Sequence, residues 1–347
     1  MNNKKRIKFI TILGAFLILF FVYLLLVGAV VYLWPKKENK IIQKTVSIIP
    51  YPAVIHKAGF ITLEKLDYQL LVARKFYESQ DFSKVGLRVD FSTPDGQKRL
   101  AIKKKNILSK LIEDSIIKAE AKKRGILVTQ ELVDQEVDRK LKEYGTGNQL
   151  KDFLEKFYGW DIQDFKENIV KPDLYQEKLF SQLKKTDPTY LEAREKIEKA
   201  QKDLVEKVSF SETAKKYSQG ESAKNGGALG WFSANQMLPE VSEVVFGLQK
   251  NQLSEIVESS IGFHIIQMED MKEQNGEQIF KLNQIFVPIK SFAQWLSEME
   301  GDYKIFIPSR EFYWDSQAGK VQFSEQNMQK YEQDLLKNPI NDPSIIF

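Results

Sequence analysis

The side chains that most often carry acid–base, nucleophilic or metal chemistry are scarce in this sequence. The 347 residues include two histidines, His56 and His264, and no cysteine. A disulfide, a thiolate nucleophile and a metal site built from several histidines are therefore excluded. The Gly-x-Ser-x-Gly turn found in many hydrolases is also missing from the sequence. We therefore set aside a hydrolase, and we expect neither a bound metal nor a cofactor.

Glycine and large apolar residues are concentrated in one segment, NGGALGWFSANQMLPE, at residues 225–240. Its adjacent glycines, Gly226 and Gly227, indicate backbone conformations that side chains forbid, or a close approach by another part of the chain. Gly230 follows three residues later and has the same implication. Three large apolar side chains come next and either line a pocket or fill a core: Trp231, Phe232 and Met237.

The longest apolar segment runs from Phe9 to Trp34 without a charged residue. A helix needs ~20 apolar residues to cross a bilayer, so this segment can span one with some tilt. A secretory signal peptide is the alternative, but its apolar region is usually ~7–15 residues long and ends at a small-x-small cleavage site. Here the segment ends in YLWPKK. We therefore predict an uncleaved, single-pass membrane anchor at residues 9–34.

Charge gives the orientation of this anchor and limits the partners. Basic residues precede it, and the positive-inside rule therefore predicts a cytoplasmic tail at residues 1–8 and an extracytoplasmic location for most of the chain. The absence of cysteine fits that location. Lysines beyond the anchor weaken the charge bias: Lys36, Lys37 and Lys40. The net charge is +4, from 51 basic and 47 acidic residues, and gives no indication of a nucleic-acid partner.

A succession of amphipathic helices is predicted after a juxtamembrane connector. In NILSKLIEDSIIKAEAKKRG, apolar residues recur at helical spacing and the segment ends in basic residues and a glycine. The same period continues in VTQELVDQEVDRKLKEYG. With DFLEK and DFKENI further on, these segments resemble the N-terminal chaperone domain of SurA-like and PrsA-like extracytoplasmic foldases, over about residues 60–184. An unrelated helical bundle is the alternative interpretation.

The following part of the chain resembles the parvulin, or rotamase, family of peptidyl-prolyl isomerases. The resemblance rests on an ordered set of motifs: AKKYS, NGGALGWF, QMLP, VVFGL and GFHII. It implies an antiparallel sheet with helices, and it places the glycines at turns. It also implies a proline-binding pocket, in which Val241 stands where the family has a larger, aromatic residue. The implied substrate-binding residues are Leu229, Met237, Val241 and Phe246.

The chemistry implied by this resemblance needs no covalent step. The planar X–Pro amide must twist over a barrier of ~20 kcal/mol, and an apolar pocket that grips the ring and excludes water lowers that barrier. Members of the family add a polar floor of two histidines, a Cys or Asp, and a Ser or Thr. His264 matches the second histidine, and Ser259 lies where a hydroxyl residue is common. The Cys or Asp position falls on Gly220.

The family strand that carries the first histidine has no counterpart before Tyr190. Beyond GFHIIQMED, however, a polar turn is followed by IFKLNQIFVPI, which has a strand-like pattern. A hairpin is the shortest connection between antiparallel neighbours, and the first and last strands of the family fold are such neighbours. We therefore hypothesise a circularly permuted domain in which Gln284 occupies the position of the first histidine. Gln284 forms hydrogen bonds but does not titrate near neutral pH, so we expect weak or absent activity from His264, Gln284 and Ser259.

Together these features predict an α+β protein with an N-terminal transmembrane helix, a helical SurA-like domain and a parvulin-like antiparallel sheet with helices. Beyond the sheet, a short helix and a β-hairpin are expected, and packing is the favoured role for them. The predicted segments are the tail (1–8), the anchor (9–34), the linker (35–60), the chaperone domain (61–185), the parvulin-like domain (186–290) and the C-terminal extension (291–347).

The leading functional hypothesis is a membrane-anchored extracytoplasmic foldase that acts on unfolded exported polypeptides containing X–Pro bonds. Its parvulin-like domain acts either as an isomerase or as a binding module with a degenerate site. The alternative is a membrane-tethered assembly protein whose catalytically inactive parvulin domain binds one dedicated partner.

Overall fold

The computed structural model describes residues 3–33, 40–80, 90–144, 147–274 and 276–337. Trp34 and parts of the predicted tail, linker and C-terminal extension lie outside these residues. The strands are β1 (Pro52–His56), β2 (Gly59–Thr62), β3 (Ala228–Ser233), β4 (Val257–Glu258), β5 (Gly262–Gln274), β6 (Glu277–Pro288), β7 (Phe312–Asp315) and β8 (Lys320–Phe323). The helices are α1 (Asn3–Leu33), α2 (Lys40–Val46), α3 (Leu63–Ser79), α4 (Pro94–Lys123), α5 (Gln130–Tyr144), α6 (Gly147–Phe157), α7 (Ile162–Phe165), α8 (Lys171–Thr186), α9 (Pro188–Val205), α10 (Phe210–Tyr217), α11 (Pro239–Gly247), α12 (Phe292–Gly301) and α13 (Gln326–Lys337).

The chain divides into two compact units, and the predicted α+β class is confirmed. The helical unit contains the described residues up to Gln176 together with those from Met299 onward. The sheet unit comprises Glu177–Glu298. These units divide the chain near the predicted domain boundaries at 185/186 and 290/291, and the chain returns to the helical unit after the sheet unit.

The helical unit is built around α4, whose start and buried face follow from local sequence. Thr93 accepts a hydrogen bond from the backbone N–H of Gly96, and Pro94 occupies the first turn, where no intrahelical donor is needed. Leu108, Ile112 and Ile116 are almost completely buried. Because these residues recur every four positions, they form one apolar face, as the helical spacing predicts.

Part of the predicted linker is instead a β-hairpin. β1 and β2 are antiparallel, and Ile55 pairs with Phe60 across them. Phe306, from near the C-terminus, exchanges two backbone hydrogen bonds of 2.8 Å with Ile55 and so extends this sheet. The partner lies near the other end of the chain, which is why local patterns gave no sign of it.

The sheet unit contains a four-stranded antiparallel sheet in the order β3-β6-β5-β4. Successive residues of a strand point to opposite faces, so each strand contributes to two separate layers. One face packs on α9 and α10 through a buried cluster that includes Phe263, Ile265 and Ile285. The other face packs on α11 through Ile266, Met268 and their neighbours. The sheet is therefore covered on both sides, and the site lies on the side of α11.

The hairpin of β5 and β6 provides the pairing that the permutation hypothesis requires. In it His264 pairs with Phe286, and Ile266 pairs with Gln284. The segment IFKLNQIFVPI thus lies beside the strand that carries His264, between that strand and β3.

Candidate functional site

A cavity of about 170 Å³ lies between α11 and the sheet of the sheet unit. Most of its lining is apolar. The polar side chains that reach it are those of Gln236, His264 and Gln284. The full lining consists of Leu229, Phe232, Gln236, Met237, Leu238, Val241, Ile261, His264, Ile266, Leu282, Gln284 and Phe286.

The floor of the cavity is one face of the β5–β6 hairpin. His264 and Ile266 are two residues apart on β5, and Leu282, Gln284 and Phe286 follow the same spacing on β6. This period of two places all five side chains on the same side of the sheet. His264 and Gln284 are diagonal neighbours, since their direct partners are Phe286 and Ile266.

The walls come from the glycine segment and α11. Leu229 and Phe232 belong to β3, Met237 follows a short 3₁₀ turn, and Val241 lies in the first turns of α11. These residues line the cavity together with the floor. Thus the structure brings together three of the four residues for which substrate contacts were expected.

Phe246 is the exception among the expected substrate-binding residues. Its side chain is 56% exposed, and its ring packs edge-on against Phe280, with 5.4 Å between the ring centroids. It does not line the cavity. It follows directly after Val245, which is buried, and successive residues of a helix point in different directions, so Phe246 lies towards the outside of α11.

The turns at Gly226 and Gly227 explain why the segment needs glycine. Both residues have positive φ, +66° and +88°. At Gly227 an added Cβ would lie 2.7 Å from the carbonyl oxygen of Gln284. The Gly227 carbonyl also accepts a hydrogen bond from Gln284 N at 2.8 Å. The glycine therefore lets the segment approach β6 closely and positions β3 beside Gln284.

Ser259 fixes the orientation of the His264 ring through a hydrogen bond. Its Nε2 lies 2.7 Å from Ser259 Oγ, and the Ser259 hydroxyl donates to the Gly262 carbonyl at 3.1 Å. A hydroxyl has one proton, so Nε2–H is the donor to Ser259 and Nδ1 is left as an acceptor. Ser259 does not line the cavity. Its contact with His264 makes it a positioning residue rather than one that reaches a ligand.

The imidazole of His264 is buried, and burial favours its neutral form. Only 2% of the residue is exposed, and its ring packs on Phe286 with 4.9 Å between centroids. Burial lowers the pKa of His264 below its ordinary value of 6.5, although the Gln284 side chain and the Glu240 carboxylate oppose this effect. Among the described residues, Nδ1 is buried without a hydrogen-bond partner.

Gly220, the position expected for a Cys or Asp, lies next to the floor. A Cβ added there would be 3.5 Å from Cδ1 of Phe286, an ordinary contact distance. The position therefore lies beside a ring that lines the cavity, and as glycine it has no side chain to present there. The lining residues that sequence reasoning missed, such as Ile266 and Leu282, follow from alternation along β5 and β6, and Phe286 follows from the same alternation.

The rotamase family, described as a PPIC-type peptidyl-prolyl isomerase domain, matches residues 179–270. The match ends within β5, so β6 and Gln284 lie beyond it. The fold and the cavity therefore define a protein that carries a parvulin-type peptidyl-prolyl isomerase domain. The foldase protein PrsA of Bacillus subtilis (strain 168) is 30% identical over 206 residues, which cover 51% of this chain and 67% of that protein. This chain belongs to the PrsA family of foldase proteins.

Further relatives match shorter parts. The foldase protein PrsA of Geobacillus kaustophilus is 30% identical over 192 residues, covering 50% of this chain and 64% of that protein. A chaperone SurA from Methylobacillus flagellatus is 35% identical over 115 residues, covering 31% of this chain and 26% of the relative. These two alignments span less than two thirds of the relatives. A crystal structure of PrsA from Bacillus anthracis covers 68% of this chain and 98% of its own, at 23% identity and a TM-score of 0.21, which is too low to support an argument about the fold.

Proposed function

We propose that this protein is a membrane-anchored, extracytoplasmic foldase that binds unfolded exported polypeptides, with X–Pro segments in the cavity beside His264 and with weak isomerase activity. The observation that carries the proposal is the cavity itself, whose apolar walls enclose a floor containing His264 and Gln284. Such a site suits a proline ring followed by a polar backbone. The apolar helix α1, which includes the candidate membrane span Leu13–Leu33, supports the anchoring.

We expect the shape of the cavity to lower the barrier to isomerisation of a bound X–Pro bond. Leu229, Met237 and Val241 would contact the ring and exclude water, which disfavours the planar, hydrated amide relative to a twisted one. The polar floor would contact the neighbouring carbonyl through the Gln284 amide. None of these steps requires a proton to move.

Two features support weak catalysis. The buried Nδ1 of His264 is not presented to solvent, and burial keeps the ring neutral. The cavity lining contains no carboxylate or thiol within the described residues, and the position next to Phe286 that could carry one is Gly220. Fewer polar groups on the floor mean less stabilisation of a twisted amide than in the related enzymes with a full set.

The proposal of a degenerate site is tested by restoring the missing imidazole. In a protease-coupled assay with X–Pro peptides, the full chain should show slow catalysis, and Gln284→His should raise kcat/KM several-fold because it places a second imidazole on the floor. Asn283→His is the matched control, since the neighbouring residue of β6 faces the other side of the sheet. Rapid catalysis by the unmodified chain, or an equal effect of both variants, would contradict the proposal.

An aggregation assay separates the general foldase from a protein with one dedicated partner. A foldase should suppress aggregation of several unrelated unfolded proteins, and His264→Gln should leave that suppression intact if binding dominates over catalysis. No suppression, together with one stable co-purifying protein, would favour the assembly role. Loss of suppression and isomerase activity together in His264→Gln would show that catalysis is the main activity.

A further inference from the structure

Helix α1 changes its surroundings abruptly after Leu26. Leu25 and Leu26 are 73% and 62% exposed, whereas Val27 is 5% exposed. The residues that follow, to Leu33, are buried or half-buried within the helical unit. The helix therefore has an exposed apolar part that ends near Leu26 and a last part that other residues of the chain cover.

The covering residues lie in loops and at the start of strand β1. Tyr51 donates its hydroxyl to the Leu24 carbonyl at 2.7 Å, and its ring lies so close to Gly28 that an added Cβ would be 3.3 Å from Cε1. Tyr32 donates to the Pro52 carbonyl at 2.9 Å. In the same region, the backbone N–H of Arg310 donates to the Tyr32 carbonyl at 3.3 Å. Loops of this kind do not occur in contact with lipid inside the hydrocarbon layer, because their backbone groups would lose hydrogen bonds to water.

The contact with helix α2 shows where along α1 the covering by other residues begins. The hydroxyl of Tyr23 lies 2.6 Å from Thr45 Oγ1. α2 also carries Lys40 and Lys44, both exposed. A lysine near the centre of a bilayer costs roughly 2.5–3.5 kcal/mol even on scales derived from insertion, so α2 belongs in water or among headgroups. Tyrosine is itself enriched at the interface between lipid and water.

The remaining apolar length matches a bilayer. Without a charged residue, the segment from Phe9 to Leu26 rises roughly 27 Å at 1.5 Å per residue, close to the ~30 Å of a hydrocarbon core. Apolarity alone would extend the span to Leu33. The contacts of Tyr51, Tyr32 and α2 exclude that longer span.

We propose that the outer boundary of the bilayer lies at Tyr23–Leu26, and that the turn Ser47–Pro50 rests in the lipid interface with the Ile48 side chain inserted. Ile48 is 69% exposed, and its backbone N–H bonds to the Thr45 carbonyl at 3.1 Å, which keeps it within one turn of Thr45, the residue of α2 that contacts Tyr23. The last turns of α1 then join the helical unit to the membrane without a flexible connection at this point. This inference rests on the proposed anchoring.

Spin labels on single cysteines test the boundary, and the chain has no native cysteine to remove. The full chain is reconstituted in bilayers of phosphatidylcholine and phosphatidylglycerol. Collisions are measured with oxygen, which concentrates in lipid, and with a water-soluble nickel chelate. Labels are placed by Leu19→Cys, Ile48→Cys and Lys40→Cys. Leu71→Cys is the matched control, because Leu71 is 63% exposed in the same unit but lies outside the proposed contact.

The expected order of oxygen preference is Leu19 highest, Ile48 intermediate, and Lys40 and Leu71 low. A label at Ile48 that behaves like the one at Leu71 would overturn the inserted turn. A label at Lys40 that behaves like the one at Leu19 would move the boundary to the end of α1 and overturn the inference. If Leu19 itself is accessible to nickel, the anchoring fails, which is a different result from either of these.

Discussion

The chemistry of the cavity depends on how His264 is held. Ser259 fixes one ring nitrogen, Phe286 covers the ring, and burial favours the neutral form. Among the described residues that line the cavity, His264 alone can titrate near neutral pH. Any pH dependence that this cavity has between pH 5 and 7 is therefore expected to come from this one residue.

We predict that His264 titrates below 6.5 in the folded protein. Burial lowers its pKa, so the unfolded chain takes up the proton first, and the free energy of unfolding falls as the pH drops below 6.5. NMR of the imidazole protons measures this directly, since His56 is the only other histidine and His56→Gln identifies its signal. In denaturant the pKa measured from the His264 signal should return to the ordinary value of 6.5. A folded-state pKa at or above 6.5 would contradict the buried, neutral ring.

At the scale of elements, the contact between β3 and β6 shapes the cavity. The segment that leads into β3 approaches Gln284 so closely that no side chain fits at Gly227. β3 then carries Leu229 and Phe232 to the cavity wall. The glycines thus act through backbone geometry, and the pocket residues depend on them for their position.

Substitution of two glycines separates close approach from backbone conformation. Gly227 and Gly230 both have positive φ, +88° and +92°, but nothing lies within 4 Å of a Cβ added at Gly230. Gly230→Ala should therefore cost only the conformational penalty of about 1–2 kcal/mol. Gly227→Ala adds a clash with the Gln284 carbonyl, for a total of roughly 2–5 kcal/mol.

Hydrogen exchange of the β5 and β6 amides measures these losses in the sheet unit itself. Gly227→Ala should reduce the protection of the β6 amides more than Gly230→Ala does. Equal losses would show that the contact between Gly227 and Gln284 relaxes without cost.

At the scale of the molecule, the chain leaves the helical unit, builds the sheet unit and returns. The returning segment completes the core of the helical unit. Tyr303 donates to Glu120 Oε1 of α4 at 2.7 Å, and its ring packs against His56 with 5.9 Å between centroids. Lys104 of α4 pairs with Glu311 at 2.8 Å. The C-terminal extension, for which packing was the favoured role, therefore stabilises a unit that begins far earlier in the chain.

Tyr303→Phe should destabilise the helical unit by about 1–3 kcal/mol, since it leaves a buried carboxylate one donor short. Burial would raise the pKa of Glu120, but hydrogen bonds from Lys123, Tyr303 and Arg124 lower it to about 2. The stability that Glu120 contributes is thus present above pH 4.5 and is lost as the pH falls towards 2, so the effect of the variant should shrink there.

Hydrogen exchange of the α4 amides measures the loss of stability in Tyr303→Phe at pH 7 and at low pH. Tyr313→Phe is the control, because Tyr313 is 43% exposed and lies in the same unit. A destabilisation equal in both variants would show that the hydroxyl of Tyr303 contributes nothing specific.

Features that depend on neighbouring residues could be predicted from the sequence. The apolar helix, the buried stripe of α4, the β5–β6 pairing and the residues Leu229, Met237, Val241 and His264 were all predictable, because periodicity, turn chemistry and ordered motifs are local. Phe246 was expected at the cavity but lies outside its lining, because a motif gives the residue but not the side of the helix on which it lies.

Features that join distant residues became visible only in the folded chain. The pairing of Ile55 with Phe306, the bond from Tyr303 to Glu120 and the point at which Tyr51 covers α1 all connect segments whose local patterns are unrelated. Hydrogen bonds between such segments form only after the chain has folded back, and no local period records them. For the same reason, apolarity gave the length of α1, whereas only the folded unit shows which part of that helix other residues cover.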